Sequence, residues 1–348
     1  MRKGKGMKRK NVLSSVGVIV LLGWICLSYF ACEWTPERDN PLDPNSELYQ
    51  PPSLGSITGE VRNLSGTSSL SGVMVSLESD SQDVVTASNG KYLIENVADG
   101  PHWVSVHKEG YADSSAQVTV VTGQTSIADF RLNALPRFDS VSVTLHRIRV
   151  VPSPDEFVTI SARIIDIDMN ISTLLVDTAV LAVFEGDTIG NLNYSNTQIT
   201  GTFTFDRDFP IAELPISSSQ DIIGRPFILT VIDQVGGFSI SDPYSIARWL
   251  DIPNPISPIE ITVGPNPTLV WDQYIVGFSY IQNIRVFDNI EILRWDSLSV
   301  SPGVVQVTVT DTLETTNETY PKYYYWTIEI VDLFGNTARS MNTKFYVQ

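Results

Sequence analysis

The sequence predicts an all-β protein: antiparallel β-sandwiches in tandem, preceded by an N-terminal export segment and a proline-rich tether. Three observations predict it. From Leu54 onward apolar residues alternate at period two in short blocks, as in Ile57/Gly59/Val61, Val73/Val75/Leu77 and Val118/Val120. Turn residues punctuate those blocks, drawn from the 18 glycines and 15 prolines that follow Leu54. The first 80 or so residues of this region carry no helical period, which leaves strand upon strand as the way to bury the apolar positions.

Residues 1–31 read as a signal segment. Arg2, Lys3, Lys5, Lys8, Arg9 and Lys10 form a basic start without an acid, and no charge occurs from Asn11 to Cys32. A positive region followed by an apolar run is the layout of an export signal. The run ends in Tyr29-Phe30-Ala31-Cys32, and this ending resembles the lipobox of bacterial lipoproteins. The resemblance implies cleavage before Cys32 and a lipid on its thiol. Two alternatives stay open. One is an uncleaved anchor, since about 20 apolar residues rising 1.5 Å each span roughly 30 Å of bilayer. The other is a cleaved soluble product. All three place the body of the protein outside the cytoplasm, and the lipid-anchored form belongs to the cell envelope, with the outer membrane the foremost expectation.

Charge narrows the partners. Formal net charge is −16, and without the six N-terminal cations 17 basic residues face 39 acidic ones, a net of −22. Such a surface repels nucleic acid and anionic headgroups. The two cysteines, Cys26 and Cys32, both lie in the export segment, so the body relies on packing rather than disulfides.

Residues 32–53 are the tether, with Pro36, Pro41, Pro44, Pro51 and Pro52. Proline at this density favours extended chain, and at about 3.1 Å per residue its 21 steps reach roughly 65 Å. The piece Asn40-Pro41-Leu42-Asp43-Pro44-Asn45 resembles a post-lipobox element of envelope lipoproteins.

Residues 54–135 form the first sandwich. Asn89-Gly90, between Val84-Val85 and Tyr92-Leu93-Ile94, predicts a hairpin, because both residues tolerate positive φ. Asp99-Gly100-Pro101 and Gly110 predict the next turns. The ordered set Gly55, Ile57, Gly59, Val61, then Gly72, Val73, Val75, Leu77, then Thr86, Gly90, Tyr92, Ile94, Asn96, Val97, Gly100, ending Val104, Val106, Gly110, Tyr111, resembles the carboxypeptidase regulatory-like domain. That resemblance implies a transthyretin-like sandwich, itself non-catalytic and appended to peptidases, transporters or envelope proteins. His102, His107 and His146 belong to no HxxE or HExxH arrangement, so they read as structural rather than as zinc ligands.

Residues 136–250 read as an immunoglobulin-like sandwich, with strand blocks such as Phe157 to Ile165 and Phe227 to Ile232 between prolines. Asp166, Asp168 and Asn170 alternate, and Asp177 follows eleven residues after Asp166. Oxygen ligands in that spacing open and close a calcium loop, so calcium is the one candidate cofactor. The plainer alternative is a polar loop between two strands, since Ile171 stands where such a loop turns on glycine.

Residues 251–348 form the last sandwich, after the stiff segment Pro253 to Pro258. Pro267-Thr268-Leu269-Val270-Trp271 and the run Tyr323 to Ser340, with its Asp332-x-x-Gly335-Asn336 turn, resemble the early Trp strand and late hairpin of a fibronectin type III domain. Within Tyr323, Tyr324, Tyr325 and Trp326 alternate rings face opposite sides of a strand. One pair therefore points away from the core. It either meets a sugar or protein ligand or is covered by a neighbouring strand or domain.

The chain carries no GxSxG elbow, no phosphate-cradling glycine loop and no cysteine nucleophile in its body, so an enzyme is not expected. The expectation is a lipid-tethered protein that presents sandwiches for binding or adhesion to a protein or glycan. The alternative is an assembly component of the periplasm or outer membrane that docks to other envelope proteins. An aromatic platform would favour the first, and a bare apolar sheet face the second.

Overall fold

A computed structural model describes residues 46, 48, 53–78, 82–173, 179–199 and 201–348. The described chain is built from β-strands with two short 3₁₀ turns, Ile211–Glu213 and Ser219–Ile222, and its buried apolar residues fall into three cores.

The first core lies between two sheets. In one, Leu54–Asn63 runs antiparallel to Lys91–Ala98 and parallel to Thr125–Ile127 and Phe130–Leu132. In the other the order is Gln82–Val85, Met74–Leu77, Gly100–His107, Ser114–Val120. The alternating positions Ile57, Val61, Val75, Leu77, Ile94, Val104 and Val106 meet between them. Gly59 admits the close approach of the Ala128 carbonyl, which would lie 1.8 Å from a Cβ there. The Tyr92 hydroxyl donates to the same carbonyl at 2.6 Å, and burial pushes that phenol's pKa up. Asn89-Gly90 is not the hairpin the sequence predicts. Gln82–Val85 pairs with Met74–Leu77 and Lys91–Ala98 pairs with Leu54–Asn63, so the turn carries the chain from one sheet to the other. Gly90 sits at φ +74 with the Val61 carbonyl 2.6 Å from where a Cβ would stand, a place only glycine fills.

The second core is closed by Val180–Phe184 and Pro226–Ile232 on one side, flanked by Asp187–Asn191, Phe238–Ile240 and Tyr244–Ser245. The other side is the sheet of Asn193–Ile199, Thr202–Pro210, Asp155–Ile165 and Arg137–Ile148. The Phe184 and Phe227 rings meet at 4.6 Å, and Phe205 and Phe209 are fully buried.

The third core holds Trp271 and Trp326, whose ring centroids are 6.4 Å apart. Each indole has a partner: Trp271 Nε1 donates to Gln282 Oε1 at 2.8 Å and Trp326 Nε1 to the Pro258 carbonyl at 3.0 Å. Pro255–Ser257, inside the segment expected to be a stiff connector, is a strand paired with Thr268–Trp271.

The second and third cores share a sheet. Thr337–Arg339 pairs antiparallel with Tyr324–Asp332 and parallel with residues 146–148 of Arg137–Ile148. One ten-stranded sheet therefore runs from Asn193–Ile199 through to Tyr280–Asp288 and Leu293–Val300, with Thr262–Val263 and Thr343–Val347 attached to the Tyr324–Asp332 strand side. Beneath this seam the Arg147 guanidinium lies 3.7 Å over the Trp249 ring, donates to Glu156 Oε1 at 2.6 Å and donates to the Leu250 carbonyl.

Candidate binding face

The outward side of the ten-stranded sheet is organised by cross-strand rows. One row reads Leu293, Phe287, Tyr325, Lys344; a second reads Ile281, Val331, Thr337, His146, Phe157, Pro210. Between them Asn283, Glu329, Arg339 and Ile148 form a third. Residues opposite one another on a face interact, so each row is a contact unit rather than a coincidence of spacing. Four inter-strand steps separate the Phe287 strand from the Phe157 strand, about 19 Å at roughly 4.8 Å per step.

Aromatic rings mark both ends. Phe287 and Tyr325 stack at 5.2 Å with an 18° tilt, and His146 and Phe157 at 5.0 Å with 19°. The His146 imidazole is bracketed by the hydroxyls of Thr144 and Thr337, each at 2.9 Å. Burial lowers its pKa against the pull of Asp208 and Glu329, which favours the neutral ring. Burial also raises the Tyr325 phenol. The Arg285 guanidinium reaches Glu329 Oε2 at 3.2 Å.

Beside the Tyr325 end an open cleft of about 550 Å³ is lined by Thr316, Asn317, Glu318, Lys322, Tyr323, Lys344 and Tyr346. The Lys344 ammonium lies 4.6 Å from the Tyr323 ring and 5.0 Å from the Tyr346 ring, with Glu260 Oε2 at 3.9 Å. Its hydrogen bond to Tyr346, with the charge of Glu260, raises its pKa, so the ammonium is fixed as a cation between two rings.

Of the four aromatic residues singled out from the sequence, the structure divides the pairs. Tyr324 and Trp326 are 2 % and 0 % exposed and belong to the core, so neither is available to a ligand. Tyr323 and Tyr325 are the outward pair. Strand alternation foretold a split, but which half faced inward depended on packing against Trp271 and Phe345. Phe287, His146, Phe157, Lys344 and Tyr346 escaped the sequence because only strand register gathers them.

Asp166, Asp168 and Asn170 come together, whereas Asp177 and Cys32 lie outside the described residues. The Asp166 carboxylate, fully buried, accepts the amides of Asp168 at 3.1 Å and Asn170 at 2.9 Å. The same turn recurs three times. Asp233 accepts from Val235 and Gly237, Asp288 from Ile290 and Ile292, and Asp332 from Phe334 and Asn336, always two and four residues on. Asp166 is thus one of four strand-end turn caps. Asp168 Oδ2 accepts the Ala134 amide at 2.6 Å, and Asn133 Nδ2 donates to Asp233 Oδ2 at 2.6 Å, so these side chains clasp the first sandwich to the second. Burial first, then the charges of Asp168 and Asp233, raise the Asp166 pKa. Among the described residues no group of three or more His, Cys, Asp or Glu side chains is placed to hold a metal ion.

Residues 56–133 match the family model of the carboxypeptidase regulatory-like domain, the stretch whose motif order resembles it. No curated protein matches the chain. Among solved structures, the TIE protein of Bacillus anthracis is similar over 85% of this chain and 49% of its own at 12% identity and a TM-score of 0.27. Latent dimeric PorU from Porphyromonas gingivalis is similar over 85% and 34% at 13% identity and 0.25. BcpA, the major pilin subunit of Bacillus cereus, is similar over 85% and 93% at 9% identity and 0.28. The chain spans about half the length of the first of these and about a third of the second.

Proposed function

We propose that this chain is a non-catalytic, exported binding protein, anchored in the cell envelope through Cys32, that recognises a protein partner with the outward face of its ten-stranded sheet. The observation that carries the proposal is the row Leu293, Phe287, Tyr325, Lys344, continued by Tyr323 and Tyr346 around the Lys344 ammonium. Tyrosine and phenylalanine are among the side chains that anchor protein interfaces, and here they stand outward beside a fixed cation. A glycan is the less favoured ligand there, since Phe287 and Tyr325 already stack on each other and are half-buried, and Tyr323 and Tyr346 already hold the Lys344 ammonium between them. The shared sheet holds the face as one surface across two sandwiches, so a ligand meets pre-ordered side chains and loses less entropy on binding.

A second reading has its own observation. On the other sheet of the middle sandwich Leu181, Val183, Ile228, Ile232, Phe238 and Ile240 share the outer side, with Phe238 and Ile240 57% and 61% exposed. An apolar sheet face of this kind suits an assembly component that packs against another envelope protein.

Site-specific photo-crosslinking in intact cells separates the two. With a benzophenone side chain at Tyr323, Tyr346, Phe238 or the exposed control position Val85, crosslinked product is expected at Tyr323 and Tyr346 above the Val85 level. Product confined to Phe238 would transfer the docking role to the apolar face, and product at neither would remove both.

A further inference from the structure

On the same outward face, where the middle and last sandwiches meet, a second cleft of about 260 Å³ opens among Ile148, Arg149, Val150, Val151, Arg339 and Met341. It sits at the end of the parallel pairing, where Arg339 opposes Ile148 and its carbonyl accepts the Arg149 amide at 2.9 Å. Two arginines, Arg149 and Arg339, line it in a protein whose net charge is −16. Among the described residues no carboxylate lies within 4.0 Å of either. The acid directly across from Arg339 is Glu329, and it is engaged elsewhere, by Arg285 Nη1 at 3.2 Å and Asn283 Nδ2 at 3.4 Å. Arg339 Nε is buried without a hydrogen-bond partner. A buried guanidinium N–H left unpaired is costly, and a carboxylate is the acceptor whose geometry matches it. Apart from the Asn342 amide the rest of the lining is aliphatic: Val150, Val151 and Met341 are 45%, 82% and 41% exposed, and no aromatic ring borders the cleft.

We propose that this cleft binds a carboxylate of the partner protein, an Asp or Glu side chain or a chain terminus, with an aliphatic side chain beside it. Charge complementarity selects the anion. The aliphatic walls select a peptide over an acidic sugar, because sugar faces are bound by aromatic rings, which this cleft lacks. Its volume admits one or two side chains and falls below that of most small-molecule pockets. The proposal rests on the reading of the outward face as a protein-binding surface and names the chemistry it selects.

The test follows the Arg339 Nε–Hε resonance of the full-length, ¹⁵N-arginine-labelled protein in detergent micelles, assigned with R339K. The probe is N-acetyl-leucinate, with N-acetyl-leucinamide as its neutral counterpart and glucuronate as an acidic sugar. A saturable shift with N-acetyl-leucinate, none with the amide, and about tenfold weaker binding in R149Q are expected. The indole resonances of Trp271 and Trp326, read from a second sample labelled with ¹⁵N-tryptophan, report whether each variant stays folded. No saturable shift, or an equal response to the amide, overturns the proposal. Tighter binding of glucuronate than of N-acetyl-leucinate overturns its peptide specificity. If the cleft fails while crosslinking at Tyr323 and Tyr346 persists, the binding face stands without it; if both fail, the face itself is withdrawn.

Discussion

Asn336 locks the seam to Leu145: its Oδ1 accepts the Leu145 amide at 2.9 Å while its Nδ2 donates to Asp332 Oδ2 at 3.0 Å. Both ends of one side chain are satisfied, one in each sandwich. Asn336→Ala leaves the buried Leu145 amide unpaired and Asp332 Oδ2 with only the Arg248 guanidinium at 4.0 Å, at about 1–3 kcal/mol. Hydrogen exchange at the Leu145 amide is expected to accelerate, and urea unfolding of the last two sandwiches to separate into two transitions. A variant that unfolds in the same single step as the parent would show that the strand pairing alone couples them.

Gly59 tests the first sandwich. A methyl group there meets the Ala128 carbonyl oxygen at 1.8 Å and its carbon at 2.6 Å, both backbone atoms that no rotamer can move. Gly59→Ala is expected to cost about 3 kcal/mol or more. Limited proteolysis should then cut between residues 54 and 132 while the fragment from residue 137 to 348 persists.

The sequence made the strands legible, since alternation marks Ile57/Val61 or Ile328/Ile330 without any help from the fold. It made the sandwich pairs far less so. Asn89-Gly90 has the composition of a hairpin, yet glycine is needed there to pass beneath the Val61 carbonyl. The seam left no local mark at all, because Thr337–Arg339 pairs with residues 191 positions earlier and pairing of that kind has no period. The Asp turns were half legible. Asp166-x-Asp168-x-Asn170 has calcium-loop spacing, and a carboxylate that accepts amides two and four residues on has the same spacing, so spacing alone does not separate a calcium loop from a turn cap.

Two of those turns should respond to acid in opposite senses. Burial raises the Asp166 pKa, with Asp168 and Asp233 adding to it. The native state then holds its proton at pH values where the unfolded chain has lost it, so Asp166 ionisation costs stability as pH rises above 3.8. Burial opposes ionisation of Asp288 as well, but the amides of Ile292 and Ile290 and the Arg294 guanidinium outweigh it and lower the pKa. Its contribution is present above 3.8 and is lost as pH falls through the depressed folded value. Asp288→Asn is therefore expected to flatten the acid loss of stability in the last sandwich, and Asp166→Asn to remove the penalty above 3.8 in the middle one. Amide exchange at Ile292 and Asn170, followed across pH, reads each turn separately; parallel pH profiles would refute the assignment.

Tyr325 and Trp326 are neighbours with opposite fates. Trp326→Ala empties a fully buried site and breaks the bond to the Pro258 carbonyl, at about 3–5 kcal/mol. Tyr325→Ala removes an outward ring stacked on Phe287 and should cost about 0.5–1.5 kcal/mol. Chemical denaturation of the two variants gives the difference directly. A costly Tyr325→Ala would make the outward ring structural and weaken its role in recognition.

Cys32 decides how the sandwiches are held. If the thiol carries lipid, Cys32→Ser blocks modification, and cleavage that depends on it, so a metabolic palmitate label is lost and the chain keeps its apolar start. An uncleaved anchor behaves otherwise: no palmitate label appears even in the parent, and mass spectrometry of the intact chain returns the peptide from Asn11 to Cys32. A soluble product shows neither label nor peptide and partitions into the aqueous phase of a Triton X-114 extract. The expected result is palmitate on the parent, none on Cys32→Ser, and a parent mass that begins at Cys32. With that result the tether of residues 32–53, reaching roughly 65 Å when extended, sets how far the binding face stands from the membrane. Shortening the tether should then lower crosslinking at Tyr323 and Tyr346 while leaving the unfolding profile unchanged.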